Sequence, residues 1–240
     1  MQPPIPILMY HSIASMPKGT VMRSLHVPPK RFYFQMRILK WLGYRGVSMG
    51  ELMPYLTGER EGKVVGITFD DGYRNNLIEA LPILKQFGFS ATCYIISQMT
   101  GGVNEWDLEK GIPENPLMNK NEIRHWIDSG MEIGSHTQHH VRLTECEETE
   151  AKTEIFQSKV DLEEQFGKAV EHFCYPWGDL DPTIQKVAES AGFHTATTTQ
   201  RGRATLRQHP LLLPRVPVTH HTLPHLFLMK ILTHYEDNHA

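Results

Sequence analysis

The run Lys63-Val64-Val65-Gly66-Ile67-Thr68-Phe69 is β-branched and almost unbroken in its apolar character. A strand of this kind is buried on both faces, which places it in a parallel sheet covered by helices rather than in a half-solvated antiparallel one. The rest of the chain is punctuated to match. Residues 7–10, 46–48, 91–96, 131–135, 171–175, 194–197 and 212–218 read as further strands. Helical patterns fall at 28–42, 51–56, 75–87, 119–129, 144–167, 181–192 and 222–234, several of them ended by glycine.

Alternation of this regularity leaves two architectures, an open doubly wound sheet or a closed barrel. The open form calls for a glycine-rich turn after its first strand. Residues 11–20, His-Ser-Ile-Ala-Ser-Met-Pro-Lys-Gly-Thr, do not supply one. A barrel sets its chemistry in loops at the carboxyl ends of strands, where this chain carries its unusual residues. At 240 residues and 40% apolar composition, the chain suits a single domain around one sizeable core. No repeat, low-complexity tract or linker divides it. Residues 100–117 lack periodicity and read as a long loop. The 144–167 helix opens on Thr144-Glu145-Cys146-Glu147, a capping-box pattern. Asp181-Pro182 starts the next, with Asp at the N-cap.

Charge and cysteine content narrow the class. Lys and Arg number 24 against 27 Asp and Glu, a net −3 that implies no basic face and argues against nucleic acid or an anionic membrane as the main partner. No apolar run approaches the roughly 18 residues of a membrane span. Cys93, Cys146 and Cys174 are too scattered for a disulfide framework or a Cys-x-x-Cys site, and read as reduced thiols. Met1-Gln2-Pro3-Pro4 leads directly into the first strand, without the basic start and apolar stretch of a secretory signal. The sequence therefore places the protein in the cytoplasm, or outside it if the chain is a mature or truncated product.

Three strands end in residues of chemical interest. The 63–69 strand runs into Asp70-Asp71-Gly72. Adjacent carboxylates at a buried strand end repel one another and lose water. A cation, a proton on one of them or exposure in a turn relieves this, and the residues alone leave all three open. The 131–135 strand runs into His136-Thr137-Gln138-His139-His140. His136 and His140, four apart, share one side if the chain makes a helical turn there; a His-rich surface loop is the other reading. Asp71, His136 and His140 together make a two-His-one-carboxylate face with open positions, the pattern of a catalytic zinc-type site. The 171–175 strand runs into Pro176-Trp177-Gly178, either a flat wall for a groove or a β-turn that packs Trp177 on the rim. His11 reads as structural unless it shares a mouth with the other motifs.

Thr68-Phe69-Asp70-Asp71-Gly72, then Ser135-His136-Thr137-Gln138-His139-His140 with Leu143-Thr144, then Tyr175-Pro176-Trp177-Gly178 occur in this order. They resemble the motifs of the polysaccharide deacetylase family, carbohydrate esterase family four, with its NodB homology domain. The resemblance covers nearly the whole chain. It implies an α/β fold, a distorted (β/α)7 barrel, as one catalytic domain over residues 1–240. It also implies metal-dependent removal of N-acetyl groups, less often O-acetyl groups, from the amino sugars of a glycan substrate. Residue by residue, it makes Asp70 the catalytic base and Asp71, His136 and His140 the ligands of a divalent metal. Zinc is expected first, with cobalt, nickel or iron suited to the same donors. Thr137 matches a support of this loop, and Tyr175 the turn whose backbone N–H assists the oxyanion; His139 matches no ligand position.

Two positions depart from the family pattern. Its third motif begins with Arg, which orients the base, where this chain has Cys174. Arg215, near a late strand, is the candidate replacement. Ile7-Leu8-Met9-Tyr10-His11-Ser12 resembles the branch that acts on poly-β-1,6-N-acetylglucosamine and related exopolysaccharides. That makes His11 the general acid, on the face opposite Asp70, ahead of His225 in Leu223-Pro224-His225. Trp177 and Trp106 are candidates for a sugar-stacking surface. The rival readings are an amide hydrolase for a small cyclic imide or ureide, and a catalytically silent carbohydrate-binding domain.

Overall fold

The computed structural model describes residues 3–239. Its strands are β1 (Ile7–Tyr10), β2 (Arg45–Val47), β3 (Val64–Phe69), β4 (Thr92–Ile95), β5 (Glu132–Ser135), β6 (His172–Cys174), β7 (Thr195–Arg201) and β8 (Leu213–Pro217), all paired in parallel. Seven of them close into a ring in the order β1-β3-β4-β5-β6-β7-β8. Closure falls on β1, where Ile7 lies opposite Gly66 on one side and Leu8 opposite Val216 on the other. The ring is the expected (β/α)7 barrel, and β2 is its distortion. It pairs with Val64–Gly66 on the edge of β3 that β4 takes over at Thr68 and Phe69.

The helices are α1 (Pro29–Trp41), α2 (Met49–Leu56), α3 (Leu81–Phe87), α4 (Glu105–Leu108), α5 (Lys120–Asp128), α6 (Glu148–Phe166), α7 (Pro182–Ser190) and α8 (Pro224–Leu232). Strand side chains alternate between two faces. Leu8, Ile67, Phe69, Cys93, Phe173 and Val216 join Phe32, Leu39, Leu84, Trp126 and Leu162 in a large core between ring and helices. Ile7, Tyr94, Cys174 and Leu213 belong to a second, smaller cluster on the inner side. Arg215, two residues after Leu213, shares that inward phase.

Three local expectations are corrected. The 75–87 helix opens as a wide π turn, Asn76–Ala80, before α3 begins. The 100–117 loop contains the short helix α4. The capping box at Thr144 and Glu147 does not form, and α6 starts at Glu148. The Thr144 N–H and hydroxyl both donate to the Asp179 carboxylate instead. The Asp181 cap does form, accepting from the Ile184 N–H at 2.8 Å.

The narrow ring demands close approach at Gly134. A Cβ there would lie 2.5 Å from the Tyr94 ring and 2.8 Å from the His172 carbonyl oxygen. The backbone oxygen cannot step aside as a flexible side chain would. Gly134→Ala is expected to lower unfolding stability by about 1–3 kcal/mol through overpacking, read as a lower urea midpoint at unchanged slope.

Candidate active site

The carboxyl ends of β1, β3, β5 and β6 surround a cavity of about 410 Å³ lined by His11, Asp70, Asp71, His136, His140, Trp106 and Trp177, with Val21, Met22 and Leu25 along one side. All five described non-glycine residues with positive φ line or adjoin it: Met22, Asp71, Thr137, His140 and Trp177. Left-handed backbone is disfavoured for L-residues and persists where surrounding structure enforces it, as at functional sites. At Asp71 the reason is visible. A continuing strand would send successive carboxylates to opposite faces. A φ of 71° at Asp71 breaks that alternation, so Asp70 and Asp71 serve the same mouth.

Asp70 is 3% exposed and held by the equally buried Arg215. Nη1 donates to Asp70 Oδ1 at 2.6 Å and Nη2 to Oδ2 at 2.8 Å. The remaining donors reach the Thr198 carbonyl from Nε (2.9 Å), Thr68 Oγ1 from Nη1 (3.2 Å) and Cys174 Sγ from Nη2 (3.2 Å). A guanidinium has five N–H groups, and each finds an acceptor. Cys174, at the position where the family motif has Arg, is small enough to leave this space to a guanidinium arriving from β8. Burial raises the Asp70 carboxyl, but Arg215 outweighs it, with His11 and His136 assisting, and holds Asp70 below the ordinary carboxylate range.

Asp71, His136 and His140 converge. Asp71 Oδ1 lies 3.4 Å from His136 Nε2 and 3.4 Å from His140 Nε2. His136 Nδ1 is 2.7 Å from the Cys174 carbonyl oxygen, to which it donates. With Nδ1 committed to that carbonyl, Nε2 is the ring atom that faces Asp71, and the facing pair is satisfied either by a cation between them or by a proton on Nε2. The donor atoms of the three residues lie within 4.8 Å of one another. Ligands at about 2.0–2.1 Å around a tetrahedral zinc are separated by about 3.3–3.4 Å, so the donor set fits a divalent ion. The residues also form an overlapping group, Asp70, His136 and Cys174. Arg215 occupies both Asp70 oxygens and reaches the thiol, which removes that group as an alternative.

Supports for these residues come from elements that the motifs do not mark. Glu154 of α6, 6% exposed, accepts the Gln138 and His139 N–H groups on Oε2 at 2.8 and 3.0 Å. Its Oε1 takes His139 Nδ1 at 2.7 Å. His139 thus braces the loop from outside rather than joining the donors. Thr137 Oγ1 accepts the His140 N–H at 3.0 Å. Asn76 in the π turn holds the loop after β1 at both ends, from Nδ2 to the His11 carbonyl at 2.7 Å and from the Ile13 N–H to Oδ1 at 3.1 Å. The sequence signal for Glu154 was a carboxylate on the buried stripe of α6, beside Ala151, Ile155 and Ser158.

His11 Nε2 is 3.8 Å from Asp70 Oδ2. It is beside Asp70 and not on the opposite face. His225 is exposed on the first turn of α8 and does not line the cavity. The Tyr175 N–H donates to the Thr197 carbonyl at 3.2 Å within the β6–β7 pairing, so the expected oxyanion role at that atom is corrected. Its side chain is buried in the large core against Phe173, with the hydroxyl on the Leu211 carbonyl at 3.1 Å. The next turn's hydrogen bonds use the Gly178 and Asp179 N–H groups and not that of Trp177. Trp106 and Trp177 flank His140 with ring centroids at 4.5 and 4.9 Å.

A family model described as polysaccharide deacetylase matches residues 57–196. Over 217 residues the chain is 32% identical to YxkH of Bacillus subtilis, a protein named for the same family, covering 90% of this chain and 71% of that one. It is 23% identical over 201 residues to the poly-beta-1,6-N-acetyl-D-glucosamine N-deacetylase of Staphylococcus aureus, covering 78% of this chain and 67% of that one. Among solved structures, the Streptococcus pyogenes deacetylase PplD in complex with acetate superposes with a TM-score of 0.84 at 28% identity, over 96% of this chain and 99% of that one.

The Arg215 geometry has a measurable sign. Without the guanidinium, the raising effect of burial at Asp70 is opposed only by His11 and His136, and its carboxylate form is lost at higher pH. Arg215→Met is expected to move the acidic limb of the pH–rate profile up by about 1–3 units, whereas Arg215→Lys, which keeps a charge, moves it less. An unmoved limb in Arg215→Met would show that Asp70 owes its ionisation to other groups.

Proposed function

This chain belongs to the polysaccharide deacetylase family, and from that premise we propose that it hydrolyses N-acetyl groups of an N-acetylglucosamine exopolysaccharide, releasing acetate and leaving a free amine on the sugar. The observation that carries this reading is the convergence of the Asp71-His136-His140 donors with the Asp70–Arg215 pair at one barrel mouth. The poly-β-1,6 linkage is supported by the Staphylococcus aureus relative and by the Met9-Tyr10-His11 opening. A second depression of about 640 Å³ shares Trp106 with the site. A surface continuing past the reacting centre suits a chain more than a small cyclic imide.

Asp71, His136 and His140 would hold the divalent ion, which supplies Lewis acidity to the acetyl carbonyl and to water. Asp70 accepts the proton of the attacking water on its carboxylate. Arg215 keeps that carboxylate ionised and, by binding both oxygens, fixes its plane. His11 Nε2 donates the proton that the sugar nitrogen needs as the C–N bond breaks. The balance is one amide and one water in, acetate and an amine out. His11 and Asp70 adjoin, so the proton that the base accepts and the one that the acid gives move within one small space. Trp106, stacked beside His140 on the cavity wall, gives the sugar ring a flat apolar face, whereas the Trp177 ring is taken by Lys110 and Arg142 at 3.6 and 4.9 Å.

Acetate release from an N-acetylglucosamine oligomer tests the reading. Chelation is expected to abolish release and added zinc to restore it. Asp70→Asn is expected to retain metal content while turnover falls by about 10²–10⁴-fold. Release unaffected by chelation would end the metal assignment; binding of the oligomer without release would leave a carbohydrate-binding domain. His11→Ala is expected to cut turnover by about 10²–10⁴-fold with metal content unchanged, and His225→Ala to leave turnover as it is. The reverse pair of results would transfer the acid role to His225.

A further inference from the structure

The net charge of −3 conceals a strong asymmetry. Residues 1–50 hold seven Lys and Arg and not one Asp or Glu. Among the described residues, Arg45 alone of these seven forms an ion pair, with Glu51 at 3.5 Å. Arg23 and Arg31 turn inward to the Met16 and His220 carbonyls. Lys30, Arg37 and Lys40 remain exposed on α1, a helix without an acidic residue.

The same helix exposes aromatic residues between its charges. Lys30, Phe34, Arg37 and Trp41 recur at intervals of four, three and four residues, which puts them on one stripe. Phe34 is 44% and Trp41 82% exposed. The Arg37 guanidinium lies 4.6 Å over the Phe34 ring, leaving the charge outward. Beside the stripe, a shallow notch of about 250 Å³ between α1 and the neighbouring helix is lined by Pro29, Lys30, Tyr33, Phe34 and Ile83.

We propose that this face of α1 docks the protein on an anionic lipid bilayer. Unpaired cations interleaved with protruding Phe and Trp are the chemistry of interfacial attachment: the charges meet acidic headgroups and the rings settle at headgroup depth. A soluble polyanion would use the charges but leave the Trp41 ring in water, which favours a bilayer over a polymer. Attachment by the outer face of a packed helix is peripheral; among the described residues no helix is long and apolar enough to cross a membrane. α1 descends outside the barrel after β1 has ended at the mouth, so docking by its outer face leaves the mouth clear. The surface is separate from the catalytic cavity, and the proposal does not rest on the deacetylase reading.

Co-sedimentation with vesicles tests it. The protein is expected to bind mixed phosphatidylcholine–phosphatidylglycerol vesicles, to leave pure phosphatidylcholine vesicles unbound, and to dissociate as salt rises. Lys30→Gln with Arg37→Gln is expected to weaken partitioning roughly tenfold or more. Trp41→Ser is expected to weaken it several-fold without changing the salt dependence. Acetate release from a soluble oligomer should be unchanged in these variants. Equal binding to both vesicle types, or none, would overturn the proposal. So would a Trp41→Ser variant that binds normally while heparin displaces both proteins, which would make the face a polyanion site. Self-association removed by Trp41→Ser would assign it to a second copy of the chain.

Discussion

The Asp70–Arg215 pair sits where the barrel has least room for error. Two buried charges lose their water, and their attraction compensates only if geometry is good and every remaining donor is satisfied. Here the guanidinium is enclosed by two carboxylate oxygens, a threonine hydroxyl, a carbonyl and a thiol sulfur. Those acceptors come from β3, β6 and β7 or their ends, so one side chain ties together strands from across the ring. Asp71 depends on the same arrangement. With Asp70 neutralised by Arg215, the neighbouring carboxylate is free to face the two imidazoles rather than compete for a cation.

The site is held in shape from behind. Glu154 gathers two N–H groups of the His-bearing loop, and Ser158, one turn later on α6, reaches Ser135 at 2.6 Å. These contacts stabilise a loop that includes two residues in left-handed backbone, Thr137 and His140. The strain is local and the support comes from a long helix packed on the core, an efficient division for holding two imidazoles against one carboxylate.

What the sequence made legible follows from how local each signal is. Strand periods, the apolar β3 run and the Asp181 cap are written in neighbouring residues; their alternation leaves an open sheet or a barrel, and the motifs behind the strands select the barrel. The convergence of Asp71, His136 and His140 was legible because each motif stands directly behind its own strand. Arg215 was reachable only by noticing that Cys174 left a charge unanswered, since the pair is 145 residues apart in sequence. The Thr144 capping box failed because a carboxylate distant in sequence, Asp179, took the hydroxyl. The Tyr175 N–H was unreadable for a related reason: whether a backbone donor is free depends on the neighbouring strand. Glu154 and Asn76 carry no motif at all, and only burial of a polar side chain distinguishes them.

The separation between Asp70 and Arg215 also bears on how the chain reaches its native state. Contacts between distant segments form late, because loop closure must precede them. A chain emerging from synthesis holds both aspartates long before β8 exists. Until β8 docks, ring closure at β1 lacks one of its two partners and Asp70 has no guanidinium to meet. Folding intermediates should therefore keep the β3 end hydrated and open, and the last strand completes the barrel and the charge balance of its interior together. Such coupling makes a nearly folded molecule catalytically mute, so that hydrolytic competence arrives only with the finished topology.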